Sequence, residues 1–97
     1  MGQETARAAL PAAAHVALRE AFAAEVAERL PRIVALRDGQ APDETVRRDV
    51  HTLASSAWVV GEPLISRLAR DVEDDLLGGP VAALVAALQA VGIEPKS

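Results

Sequence analysis

The sequence predicts an all-α protein, an up-down antiparallel four-helix bundle, on three observations. Apolar residues recur at helical spacing in four segments that Gly and Pro separate. Hydrophobic residues make up 51% of the 97 residues, and many are Ala, which favours helix. Aromatic residues make up only 2%, so the aromatic and β-branched runs that are typical of strands are scarce. Short connectors between the segments imply that successive helices are antiparallel neighbours.

The first predicted helix covers residues 12–37. Pro31 lies inside it and clashes with the carbonyl of Ala27, so we expect a kink or a local break there. Residues 37–42 form a connector, in which Gly39 is suited to cap the helix. The apolar positions of this helix are Leu18, Phe22, Val26, Ile33 and Leu36.

The second predicted helix covers residues 44–60. Asp43 is suited to cap its amino end, and Gly61 ends it. On a helical wheel of about 100° per residue, one narrow stripe collects the apolar side chains and predicts the core face. The stripe consists of Val46, Val50, Leu53, Ala57 and Val60.

The third and fourth helices follow after short breaks. The third begins at Glu62-Pro63, where a first-turn proline is tolerated, and reaches about Leu77. Gly78-Gly79 then separates it from a fourth helix that runs from Pro80 to about Val91. The chain is therefore expected to be a single domain, residues 1–97, with its bundle core at about 10–93. The apolar stripes are Leu64, Leu68, Val72 and Leu76 on the third helix, and Val81, Leu84, Val85, Leu88 and Val91 on the fourth.

Composition excludes several classes of function. The net charge of −4 argues against a nucleic-acid partner, because such domains present a basic face to phosphates. The absence of Cys removes disulfides, thiolate metal sites and thiol nucleophiles. No apolar run reaches the roughly 18 residues needed to span a bilayer, and the start of the chain lacks the pattern of a signal peptide. We therefore expect a cytoplasmic location and no membrane partner.

His51 lies well outside the core stripe of the second helix, on the flank toward solvent. Its ring offers a nucleophilic lone pair when neutral, and the ordinary histidine pKa is near 6.5. Ala54 and Ser55, one turn later, are small and leave room for a macromolecule to approach. Arg47 and Arg48, one turn earlier, supply charge suited to an anionic group on the ring. The alternative is a surface histidine with no role.

Other polar groups point to no second site. His15 has Arg19 rather than a second ligand at i+4, so a zinc site is not expected and His15 is structural or exposed. The acidic run 71–75 is interpreted as a solvated face, with a partner-selecting rim as the alternative. Gly78-Gly79-Pro80 lacks the Lys and Ser/Thr of a phosphate-binding loop.

The stretch HTLASSAWVVG, residues 51–61, resembles the motif of histidine phosphotransfer (HPt) domains. His51, Leu53, Ser56 and Gly61 match that motif in place. The resemblance extends over about residues 10–93. Upstream, Phe22, Glu25 and Leu30 are similar to the family's first bundle helix; downstream, Leu64, Leu68 and the Val72-Glu73 pair are similar to the helix after the phosphorylated one.

The resemblance implies a four-helix phosphocarrier rather than a stand-alone enzyme. His51 would be the nucleophile, accepting a phosphoryl group from a sensor histidine kinase or a receiver aspartate. It would then pass the group to an aspartate of a response-regulator receiver domain. The family binds no ATP and needs no cofactor of its own, and Mg²⁺ is expected on the receiver partner only.

Two residues depart from the family's pattern. Its lysine three residues after the histidine is Ala54 here, and its glycine four residues after is Ser55. We hypothesise that Arg47 or Arg48 replaces the lysine, and the further candidates are Arg67 and Arg70 on the next helix. The expected docking surface consists of Ala54, Ser55 and Trp58.

Two other functions stay open at this level. One is an adaptor or inhibitor bundle that docks on a receiver domain or kinase without phosphorylation. The other is a purely structural or dimerising helical module. The sequence also leaves open whether the chain acts alone or as a piece of a larger kinase.

Overall fold

The computed structural model describes residues 12–92, with side chains for residues 12–91. This part of the chain forms four helices and no strand: α1 (Ala12–Arg37), α2 (Glu44–Val59), α3 (Pro63–Asp74) and α4 (Val81–Gly92). Each helix packs on the next one in the chain, and α1 also packs on α4. The contacts thereby close a ring of four neighbours, which confirms the predicted all-α class and agrees with an up-down bundle.

The predicted ends of α1 and α2 are confirmed by their capping groups. The Asp43 side chain accepts a hydrogen bond from the backbone N–H of Val46 at 3.0 Å, at the start of α2. Gly39 follows α1 with φ +104°, and Gly61 follows α2 with φ +82°. Both glycines adopt the left-handed conformation that side chains disfavour, so each ends its helix sharply.

Of the kink or local break predicted at Pro31, the break is wrong, because α1 continues through this residue; the kink stays a prediction. The missing N–H of proline removes one backbone hydrogen bond from the helix. Ile33 and Leu36, which follow within two turns, are buried in the core. Their packing holds the last part of α1 against the bundle and outweighs the local cost.

α3 ends at Asp74, not at the predicted Leu77. The chain turns instead around Asp75, whose side-chain Oδ1 accepts a hydrogen bond from the N–H of Gly78 at 2.8 Å. Gly79 passes so close to this turn that a Cβ there would lie 2.7 Å from the backbone oxygen of Asp75. A short polar side chain and a close backbone approach therefore end the helix before its apolar periodicity does.

The core face of α3 differs from the predicted one. Leu64 is 54% exposed, whereas Ser66 and Ala69 are buried. The small side chains of Ser66 and Ala69 face the core, and this rotates α3 relative to the stripe that its leucines suggested. The predicted core positions of α1, α2 and α4 are mostly buried. Across all four helices, the large side chains that are fully buried are Ile33, Val50, Leu53, Val72, Leu84, Val85 and Leu88.

Two polar contacts fix α1 against α2. The buried carboxylate of Asp49 accepts from Arg32 Nε at 2.6 Å and from Arg32 Nη2 at 3.0 Å. Hydrogen bonding to the Asp49 carboxylate holds the pKa of the Arg32 guanidinium above its ordinary value. Further along, Ser56 Oγ donates to Glu25 Oε1 at 2.7 Å. α2 is thus held on α1 at two heights, on the side opposite His51.

Candidate functional site

His51 projects from the middle of α2, and 66% of its side chain is exposed. The helical wheel predicted this exposure, and the structure confirms it. The ring is nevertheless held, because its Nδ1 lies 2.9 Å from Oε2 of Glu73 on α3. One edge of the imidazole therefore faces a carboxylate, and Nε2 is left for a group arriving from outside.

Glu73 determines which ring nitrogen of His51 carries the proton. An ionised carboxylate only accepts hydrogen bonds, so the contact selects the tautomer with the proton on Nδ1. Nε2 then carries the lone pair. The acidic run was expected to be a solvated face, and this is wrong for Glu73, whose side chain is 27% exposed and engaged with His51. Asp71, Asp74 and Asp75 of the same run are exposed.

Arg47 holds the end of α3 rather than standing free beside His51. Its Nη1 donates to the backbone oxygen of Glu73 at 2.9 Å. The last carbonyls of a helix lack partners within the helix, and a cationic donor there also complements the helix dipole. Arg47 therefore fixes the backbone of the residue whose side chain binds His51.

Ala54 lies under α3 and is only 4% exposed. Its backbone oxygen accepts a hydrogen bond from Ser66 Oγ at 2.8 Å, which joins the two helices. α3 therefore covers most of Ala54, and the docking role predicted for this residue stays a prediction. Ser55 and Trp58 are exposed, and their docking role stays a prediction.

A shallow depression of about 330 Å³ adjoins His51 between α2 and α3. It is lined by His51, Ala54, Ser55, Arg70, Glu73 and Asp74. A wider groove of about 660 Å³ runs along α3 and shares Arg70 and Asp74 with the depression. Trp58, Leu64 and Arg67 line that groove, so an apolar surface leads directly to the charged surroundings of His51.

The four arginine candidates separate into different positions. Arg70 lines the depression together with His51. Arg67 lines only the neighbouring groove, and Arg47 binds the end of α3. Arg48 is exposed on α2 and lines neither. Sequence spacing favoured Arg47 and Arg48 over Arg67 and Arg70, because it does not show how α3 lies across α2.

The remaining predictions about sites concern metals, membranes and His15. Within residues 12–91, no group of three or more His, Asp or Glu side chains is arranged to hold a metal ion. Among the four helices described, none is both long and apolar enough to cross a membrane. His15 is exposed on α1, as one of its two predicted readings had it.

The described part of the chain is a four-helix bundle that carries an exposed histidine, held by a carboxylate, on one face. Comparison with protein families shows that the family model described as Hpt domain matches residues 17–94 of this chain. The chain therefore belongs to the Hpt domain family. Searches of curated proteins and of solved structures found no match. Membership gives the chain a phosphotransfer role in two-component signalling, with kinases and receiver domains as its class of partners.

Proposed function

We propose that the protein carries a phosphoryl group on Nε2 of His51, between a sensor kinase or receiver aspartate and a response-regulator aspartate. One observation carries this proposal above the others. Nδ1 of His51 is bound to Glu73 while most of the side chain is exposed, so the free nitrogen is the one that a partner can reach.

With a receiver aspartate as the donor, the transfer step needs no other reactant. The Nε2 lone pair of His51 forms the N–P bond, and the bond from phosphorus to the partner's aspartyl oxygen breaks. The aspartate leaves as a carboxylate. Because Nδ1 keeps its proton, the phosphorylated ring carries a positive charge, which the Glu73 carboxylate neutralises. The return step reverses these changes, and the electron pair of the N–P bond goes back to Nε2.

The receiver partner is proposed to supply the alignment and the charge neutralisation that the surface of this protein does not provide. Phosphoryl transfer depends mainly on alignment and on neutralising charge. The exposed side chain of His51 suits insertion into a concave acidic site, and Mg²⁺ belongs to that receiver site. Trp58 and Leu64 are each about half exposed, at 55% and 54%, and offer apolar surface for the contact. The protein itself is proposed to act without a cofactor.

The direct test is labelling by a phosphorylated receiver domain in the presence of Mg²⁺. The wild type is expected to take up acid-labile, base-stable label, and His51→Gln to take up none. His15→Gln replaces the other histidine of the chain, which lies on α1. It serves as the matched control and should label like the wild type. Label that persists in His51→Gln would assign the phosphoryl group to another residue.

A second function is favoured by Ala54, which supplies no cation beside the histidine. The protein would then dock on a receiver domain or kinase as an adaptor or inhibitor, without carrying phosphate. Tight binding of a receiver without any label on His51 would establish this function in place of the carrier. Binding to no receiver or kinase would favour the structural module.

A further inference from the structure

We infer that Arg70 is the cation that binds the phosphoryl group on His51, so that a single helix, α3, serves both nitrogens of the ring. The inference rests on the proposed carrier function. Glu73 holds Nδ1, and Arg70 stands one turn earlier on the same helix. The ligand is a phosphoryl dianion attached to Nε2, and the site is the depression between α2 and α3.

Position selects Arg70 among the cations near His51. In the described part of the chain, Arg70 is the one Lys or Arg that lines the depression with His51. Arg47 donates a guanidinium N–H to the backbone oxygen of Glu73, and Arg67 lines the neighbouring groove along α3. The buried Ala54 gives the depression a small, neutral side, which leaves space for a side chain reaching across from α3.

The negative charges that line this depression make a cation necessary beside the phosphoryl group. Glu73 and Asp74 also line it and carry negative charge, so a phosphoryl dianion would meet repulsion from Asp74. Glu73 is compensated by the ring proton, but Asp74 has no hydrogen bond or ion pair with the residues described. A guanidinium provides planar, charge-assisted hydrogen bonds to phosphate oxygens and offsets this repulsion.

The distribution of phosphoryl between a receiver domain and His51, at equilibrium and with Mg²⁺ present, measures this contribution. Arg70→Ala is expected to shift it away from His51 by roughly tenfold, the usual effect of losing one charge-assisted contact. Arg70→Lys should recover part of the loss. Asp74→Asn should shift the distribution the other way, toward His51, because it removes a repelling charge. General damage to the fold would not produce shifts of opposite sign.

Arg48→Ala is the matched control, since it removes the same charge from an exposed position on α2 that lines neither the depression nor the groove. It should leave the distribution unchanged. A second readout is the ³¹P resonance of the phosphorylated protein titrated with pH. A nearby cation lowers the pKa of the phosphoryl group, so Arg70→Ala should raise that pKa and Arg48→Ala should not.

The outcomes separate this inference from the proposed function. If the wild type labels on His51 and Arg70→Ala behaves like it in both readouts, the role of Arg70 is overturned and the carrier function stands. If Arg48→Ala reproduces the effect of Arg70→Ala, the effect is general electrostatics and the specific assignment is also overturned. If the wild type takes no label, both proposals fall.

Discussion

Glu73 Oε2 lies 2.9 Å from His51 Nδ1, although the two residues are 22 positions apart and belong to different helices. The contact converts an exposed imidazole, free to rotate, into a group with a defined orientation and tautomer. It therefore joins the packing of α3 on α2 to the chemistry of the histidine, and several consequences can be measured.

Replacing Glu73 by Ala should slow phosphorylation of His51 by roughly tenfold, because the ring loses the charge-assisted bond that selects its tautomer. Nitrogen NMR of the imidazole should show the Nδ1–H form dominant in the neutral wild type and a mixture of tautomers in the variant. Asp71→Ala, an exposed carboxylate on the same helix, is the control. Unchanged tautomer populations and rates in Glu73→Ala would remove Glu73 from the mechanism.

Replacing Ser56 by Ala should lower the free energy of unfolding by about 0.5–1.5 kcal/mol, the usual contribution of one hydrogen bond. The hydroxyl donates to Glu25 across the α1–α2 contact, and its loss leaves a half-buried carboxylate without that donor. Ser55→Ala, at the exposed neighbouring position, should change stability little. Urea denaturation of both variants compares them, and equal stabilities would deny the Glu25 contact a role in folding.

Replacing Trp58 by Ala should weaken binding of a cognate receiver domain by roughly tenfold or more, since large aromatic side chains dominate interface energies. Leu64→Ala should weaken it less. Val59 is as exposed as Trp58, at 55%, but it points about 100° away around α2, so Val59→Ala is the control. Isothermal titration gives the three affinities. A larger loss for Val59→Ala than for Trp58→Ala would place the docking surface on the other side of α2.

Replacing Asp49 by Ala should lower the midpoint of thermal unfolding by roughly 5–15 °C, because it removes the buried partner of Arg32 between α1 and α2. The control is Asp38→Ala, which breaks an exposed pair with Arg37 and should have no measurable effect. If the two variants melt together, the Asp49 pair contributes no more than a surface ion pair.

The sequence predicted local features well because they depend on neighbouring residues. The cap at Asp43 and the helix ends at Gly39 and Gly61 follow from short-range backbone chemistry. The position of His51 followed from the periodicity of its own helix. These features need no knowledge of how one helix packs on another.

Three of the features that sequence reasoning missed depend on two helices at once. The partnership of Glu73 with His51, the burial of Ala54 and the exposure of Leu64 follow from the rotation of α3 against α2. That rotation is favoured by Ser66, whose hydroxyl binds the backbone of Ala54. The available signal in the sequence was a serine on a helix rich in charged residues. If such a serine is buried, its hydroxyl needs a hydrogen-bond partner.

The pairing of α1 with α4 bears on how such a bundle can be built into larger proteins. In an up-down bundle these two helices are antiparallel, so α1 begins and α4 ends at the same end of the molecule. His51 and Glu73 belong to the other pair, α2 and α3. The described part of the chain therefore begins at Ala12 and ends at Gly92 in the half of the bundle that does not carry the histidine. The pair of helices that presents the ring to a partner is thus separate from the pair that begins and ends the described bundle.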